Sequence, residues 1–236
     1  MDIKNICFFG DSIAKGVVYD SENQKYKVSP TGFASLMSEK LHTLINNYAV
    51  FGCTVQAGLK RLGRYAEDLE NCDLVMLEFG GNDCDHNWQA ISDDPTGEHH
   101  PNLEPSEFES LYETMVTKLK ALGKNVVMLN LPPIHAEKYF AWISRDRSAK
   151  NILNWLGGNE NRIYTWHEMY NKALSSVAKR QSVPLLDIRS AFLERKDYAD
   201  LICEDGIHPN EEGHKLIAAT LLKACEESLF LGKVLV

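Results

Sequence analysis

No stretch of this 236-residue sequence approaches the roughly 18 consecutive apolar residues that a membrane-crossing helix requires. Met1-Asp2-Ile3-Lys4 also runs straight into a strand-like segment, without the apolar region of a secretory leader, so the expectation is a cytoplasmic protein. Positive charge is scarce: 25 Lys and Arg stand against 33 Asp and Glu, for a formal net charge of -8. That balance repels phosphate backbones and anionic lipid, which argues against a nucleic-acid partner. Cysteines spaced as C-x-x-C are absent. The six present (Cys7, Cys53, Cys72, Cys84, Cys203 and Cys225) read as reduced core thiols rather than a disulfide framework. Neither G-x-x-x-x-G-K-[ST] nor G-x-G-x-x-G occurs, which speaks against a phosphate-cradling binding module. The G-x-S-x-G elbow is missing too, and with it the signature of the larger α/β-hydrolases. Cys84, His86, His99 and His100 cluster in the sequence, but at no familiar ligand spacing, so a solvated loop is expected there and neither metal nor cofactor is implied.

What is present is β-α alternation. Apolar strand-like runs occupy residues 6–9, 48–51, 74–79, 126–129 and 184–187. Phe33, Leu36, Met37, Leu41, Leu44 and Ile45 fall at helical spacing, as do Phe108, Leu111, Met115, Leu119 and Leu122. The second of these helices is expected to open at a Ser106…Glu109 capping box and close at Gly123. Thr165…Glu168 predicts another helix start. Asn210, followed by Glu211 and Glu212, predicts the start of a final helix that turns Ile217, Leu221 and Ala224 inward. Continuous apolar strands alternating with helices imply a parallel sheet covered on both faces, and the length and the 44% hydrophobic fraction suit a single α/β domain over residues 1–236.

In open sheets of this kind, ligands bind beyond the carboxyl ends of the strands. FFGDSIAKG, residues 8–16, breaks from an apolar strand directly into Gly10-Asp11-Ser12 at such an end. Gly52 follows the second run, Asn82 closes EFGGND after the third, and DGIHPN, residues 205–210, precedes the final helix. Ester cleavage requires a nucleophile, a base, a group that orients the base, and donors for the oxyanion. Ser12, His208 and Asp205 can fill the first three roles. The backbone N–H groups of Ser12 and Gly52 and the Asn82 side-chain amide can fill the last, and a Gly at position 52 lets substrate approach its N–H closely.

These blocks resemble those of the SGNH, or GDSL, hydrolase family. GDSIAKG is similar to the family's nucleophile block, residues 47–62 to the second block of bacterial thioesterase and lysophospholipase members, EFGGND to the third and DGIHPN to the last. The resemblance implies a three-layer α/β/α flavodoxin-like fold with about five parallel strands, and acyl-ester chemistry without a metal. It carries the four namesake roles to Ser12, Gly52, Asn82 and His208, with Asp205 supporting His208.

Two segments depart from compact family members: residues 84–105 and about 134–166. Loops of such length are often functional. Trp88, Tyr139, Phe140, Trp142 and Trp155 lie in them and could wall an acyl pocket or form the core of a small helical cap. His135 and Trp166 carry the same two readings. Phe51, beside Gly52, would narrow the acyl site, and Asp11 and Ile207, which flank the reacting groups, are candidates to line the substrate pocket with Phe51 and Trp88. The reading reached is a serine esterase for short acyl esters, an acetylated carbohydrate among them. An O-acyltransferase with the same triad, a lysophospholipase or thioesterase, and a non-catalytic flavodoxin-like binder are the alternatives. The closing run LFLGKVLV, residues 229–236, is too apolar for a free tail and is expected to pack on the domain or form a homodimer contact.

Overall fold

The computed structural model of the protein describes residues 3–230, and the side chains of residues 3–227. Along the chain run β1 (Asn5–Gly10), α1 (Ser12–Lys15), β2 (Val17–Asp20), β3 (Lys25–Val28), α2 (Phe33–Leu41), β4 (Leu44–Asn47), α3 (Val55–Arg61), α4 (Ala66–Glu70), β5 (Leu74–Glu78), α5 (Trp88–Asp93), α6 (Pro105–Ala121), β6 (Asn125–Leu129), α7 (Ala136–Ile143), α8 (Ala149–Trp155), α9 (Asn161–Gln181), β7 (Leu185–Leu186), α10 (Arg189–Leu193) and α11 (Glu211–Phe230). Strands β4, β1, β5, β6 and β7 lie side by side in that order, all parallel. The second strand of the sheet thus lies outside the first and the third on its other side. This is the flavodoxin-like order, and it opens a crevice beyond the carboxyl ends of β1 and β5.

Alternation along each strand sorts the core into two layers. Cys7, Phe9, Val75, Leu77 and Met128 point to the face covered by Phe108, Tyr112, Met115 and Leu119 of α6 and Leu174 and Val177 of α9. Ile6, Phe8, Leu74, Met76, Val127 and Leu129 point to the other, covered by Phe33 and Met37 of α2 and Ile217 and Leu221 of α11. Burial on both faces explains why these strands read as unbroken apolar runs. A third, separate apolar cluster joins Trp88 and Ile91 to Tyr139, Ile143, Ile152 and Ile163. It draws α5, α7, α8 and the start of α9 into a cap. No helix among the described residues is long and apolar enough to cross a membrane.

Several local expectations are corrected. Leu44 and Ile45 belong to β4, because α2 stops at Leu41: His42 takes a left-handed φ of 50° and its N–H closes on Ser38 O. Residues 48–51 follow β4 instead of forming the strand itself, though Tyr48 N–H and Val50 N–H still donate to Phe8 O and Gly10 O at 2.8 and 3.0 Å. Ser106 is not a cap. Helix α6 begins one residue earlier at Pro105, whose missing N–H costs nothing in a first turn. Leu122 lies past its end and is exposed. Thr165 lies inside α9, its hydroxyl donating to Asn161 O. Asn210 does cap α11, its Oδ1 accepting from Gly213 N–H at 3.0 Å, and Ala224 there is only half-buried. The antiparallel hairpin of β2 and β3 lies outside the five expected strands. The expected packing role of residues 229–236 lies outside the described side chains.

Candidate active site

Strand β1 delivers Asp11 and Ser12 to the crevice. Asp11 caps α1, its Oδ1 accepting from Ile13 N–H at 2.8 Å, so Ser12 is held at the first position of a one-turn helix. The turn before α11 delivers the partners. Asp205 Oδ1 accepts from the N–H groups of Ile207 and His208 at 3.0 and 3.1 Å, which folds the turn so that Oδ2 meets His208 Nδ1 at 2.6 Å. His208 Nε2 lies 2.8 Å from Ser12 Oγ. Gly206 makes the turn possible: its φ is 79°, and a Cβ there would stand 2.3 Å from Tyr139 N of the cap.

Burial alone would raise the Asp205 carboxyl, but the hydrogen bond from His208 and those from the backbone outweigh it and hold the group below its ordinary value. It is therefore an ionised acceptor that fixes Nδ1 as the protonated nitrogen and leaves Nε2 to face Ser12 Oγ as the acceptor.

Asn82, in the loop after β5, donates from Nδ2 to Asp11 Oδ2 at 2.9 Å and reaches Cys53 O at 3.5 Å. Asp83 ties that loop to the one after β4, its Oδ1 accepting from Val55 N–H at 2.9 Å. Gly52, with φ 71°, turns the chain there. Among the described residues, the backbone N–H groups of Ser12 and Gly52 have no acceptor.

Ser12 and His208 open onto a cavity of about 190 Å³, and Asp11, Phe51, Asn82, Trp88 and Ile207 all line it. Asp205 is fully buried behind His208, and Gly52 stands beside Phe51 without itself lining the cavity. Trp88 is fixed by its own hydrogen bonds, Nε1 donating to Asp85 Oδ1 at 2.8 Å and meeting Tyr139 Oη at 3.0 Å. Phe140, Trp142, Trp155 and Trp166 are partly buried against the cap cluster. His135 caps α7, its Nδ1 accepting from Lys138 N–H. Among the described residues, no group of three or more His, Cys, Asp or Glu is placed to hold a metal ion.

Sequence reasoning missed three contributors. Tyr26 of the hairpin sets its ring 5.2 Å from those of both His208 and Phe51. His86, expected in a solvated loop, is instead largely buried, and it lines the cavity together with His167. Burial depresses them to about 4 and about 3, so both are neutral at ordinary pH. Arg189 also bears on His167, its Nη1 lying 3.4 Å from Nδ1. A guanidinium can only donate, which leaves the ring's proton on Nε2.

Known proteins resemble the chain in sequence and in fold. The rice (Oryza sativa subsp. japonica) GDSL esterase/lipase WDL1 is 27% identical over 157 residues, a match covering 66% of this chain and 54% of that protein. A lipase/acylhydrolase from Enterococcus faecalis superposes with a TM-score of 0.69 at 21% identity, covering 95% of this chain and 96% of the other. A catalytic mutant of Axe2, an acetylxylan esterase from Geobacillus stearothermophilus, superposes with a TM-score of 0.65 at 18% identity, covering 94% and 95%. The model of the GDSL-like Lipase/Acylhydrolase family matches residues 8–216, from the last residues of β1 into α11, and the chain belongs to that family.

Proposed function

We propose that this carboxylic ester hydrolase is a serine esterase that cleaves short acyl esters through an acyl-Ser12 intermediate. The unbroken chain from Asp205 through His208 to Ser12, at the mouth of an apolar cavity, carries the reading. Ser12 Oγ attacks the acyl carbon as its proton passes to His208 Nε2, and the carbonyl oxygen becomes an oxyanion. The N–H groups of Ser12 and Gly52 and one N–H of Asn82 meet that charge, which exists only along the reaction path. Collapse breaks the bond to the alcohol oxygen, which takes the proton from His208. Water repeats the sequence, its proton going to His208, and releases the acid. Asp205 stays ionised throughout, steadying the imidazolium.

Acyl length is set by walls. Trp88 and Tyr139 are locked together by hydrogen bonds, and Ile163 and Trp166 complete that side. A wall that blocks a chain abolishes its binding, whereas one methylene admitted to a pocket changes it by only about 1–3 kcal/mol. Acetyl and propionyl esters are therefore the substrates proposed, with an acetylated carbohydrate as the natural ester. Turnover across acyl esters from acetyl to decanoyl, followed by acetylated sugars, tests this. Acetyl esters should lead, and a preference for octanoyl esters contradicts the reading.

A further inference from the structure

Three buried carboxyl groups crowd the carboxyl ends of β1 and β5: Asp11, Glu78 and Asp83 are 1%, 0% and 0% exposed. No Lys or Arg forms an ion pair with any of them among the described residues. Carboxylates packed this closely without a cation cannot all ionise. Their hydrogen bonds show how the charge is divided. Both oxygens of Asp11 have N–H donors, Oδ1 from Ile13 and Oδ2 from Asn82, as suits a carboxylate. Glu78 Oε2 accepts from Ala14 N–H at 3.2 Å, but its buried Oε1 meets no donor. The two residues are neighbours across the sheet, Asp11 N–H donating to Glu78 O at 3.2 Å, and the donorless Oε1 marks Glu78 as the one to carry a proton. The other groups facing Glu78 and Asp11 are Tyr112, Asp83 and His208.

We infer that Glu78 is a positioning residue: held protonated, it donates to the ionised Asp11 and so fixes the oxygen that anchors Asn82 Nδ2. The inference rests on the proposed role of Asn82 as an oxyanion donor. With one N–H of Asn82 committed to Asp11 Oδ2, the other, which has only the long 3.5 Å contact to Cys53 O, is the one assigned to the oxyanion. The same two acids take up the N–H groups of Ile13 and Ala14, leaving that of Ser12 for the oxyanion. Burial raises both carboxyls, Glu78 well above its ordinary value, while the N–H donors from Ile13 and Asn82 oppose the rise at Asp11. An ionised Glu78 would instead set a second negative charge behind the place where negative charge develops, opposing the donors there.

The test compares Glu78→Ala, Glu78→Gln, Asn82→Ala and the Ala double variant for kcat and KM on an acetyl ester, with infrared spectra of protein carrying carboxyl-labelled Glu. The wild type should show a protonated Glu carboxyl band that persists above neutral pH and vanishes in Glu78→Gln. Glu78→Ala should lower kcat by about 10- to 100-fold with KM little changed, and should cost far less in the Asn82→Ala background. Glu78→Gln, whose amide can donate to Asp11 and accept from Ala14, should restore most of the loss. No protonated band, a Gln variant as impaired as the Ala variant, or equal losses in both backgrounds overturns the inference. Should Glu78→Ala fail to fold, the band and the Gln variant still decide. Full activity in Asn82→Ala overturns it through its premise, a result distinguishable because Glu78 is intact in that variant.

Discussion

His208 Nε2 and Ser12 Oγ lie 2.8 Å apart although 196 positions separate them. The order of the sheet closes that distance. Because β1 lies inside the sheet with β4 and β5 on either side, its carboxyl end meets the loops after both neighbours, and the turn before α11 packs over the same crevice. Asp205 supplies the third link at 2.6 Å.

Replacing that third link should separate catalysis from folding. Asp205→Asn keeps the turn's acceptor for Ile207 and His208 but no longer fixes the imidazole tautomer, so kcat should fall by about 10³- to 10⁴-fold in a folded protein. The carboxyl's value is depressed in the folded state, so its contribution to stability is present above the unfolded value of about 3.9 and is lost as pH falls through the lower folded value. The stability difference between wild type and variant, from urea unfolding, should therefore shrink only below about pH 4. Wild-type turnover by the variant would make Asp205 a turn residue alone.

On the proposed mechanism, Asn82→Ala removes a donor needed only when charge has formed. Its kcat should drop by about 10²- to 10³-fold with KM nearly unchanged. A rise in KM at constant kcat would place the amide in ground-state binding.

Trp88→Ala opens the cavity wall and leaves Asp85 and Tyr139 one hydrogen bond poorer. The folded variant should shift its octanoyl-to-acetyl turnover ratio upward by about tenfold or more. It should also lose roughly 3–5 kcal/mol of stability, as buried aromatic truncations do. Lost stability with an unchanged ratio would make the ring cap core only.

Asp83 gives a pH effect of opposite sign to Asp205. Burial raises its carboxyl to about 7. Between the unfolded value of about 3.9 and that folded value the native state holds the extra proton, so stability falls as pH rises. Asp83→Asn, which still accepts from Val55 N–H, should escape this fall. Relative to wild type it should gain steadily from about pH 4 to pH 7, by up to a few kcal/mol at about 1.4 kcal/mol per unit. A pH-independent difference in urea midpoints would show that Asp83 ionises normally.

The parts of the site that are legible in the sequence share one property: Ser12, Asn82 and His208 each sit in a short polar or glycine-rich block, the first two directly beyond a buried strand. Such a block breaks an apolar run for a reason visible locally. Tyr26 is different, because its strand reads Lys-Tyr-Lys-Val, is largely exposed and pairs only with β2, so no buried face imposes a pattern on it. His167 lies in mid-helix, where nothing marks which polar residue α9 turns inward. Glu78 ends a strand that is otherwise apolar, and local rules place a terminal Glu in solvent. The close approach of α1 buries it instead. Helix starts misread at Ser106 and Thr165 have the same origin, since a Ser or Thr three residues before a Glu occurs inside helices as well as at their ends.

The most direct test of the account is to treat the protein with a fluorophosphonate and map the adduct by peptide mass spectrometry while following acetyl-ester turnover. A single adduct on Ser12, with turnover lost in proportion to labelling, is the predicted result. Ser12→Ala should then take no label and retain about 10⁻³ of wild-type kcat or less. An adduct on another serine, or undiminished turnover by protein fully labelled at Ser12, contradicts it.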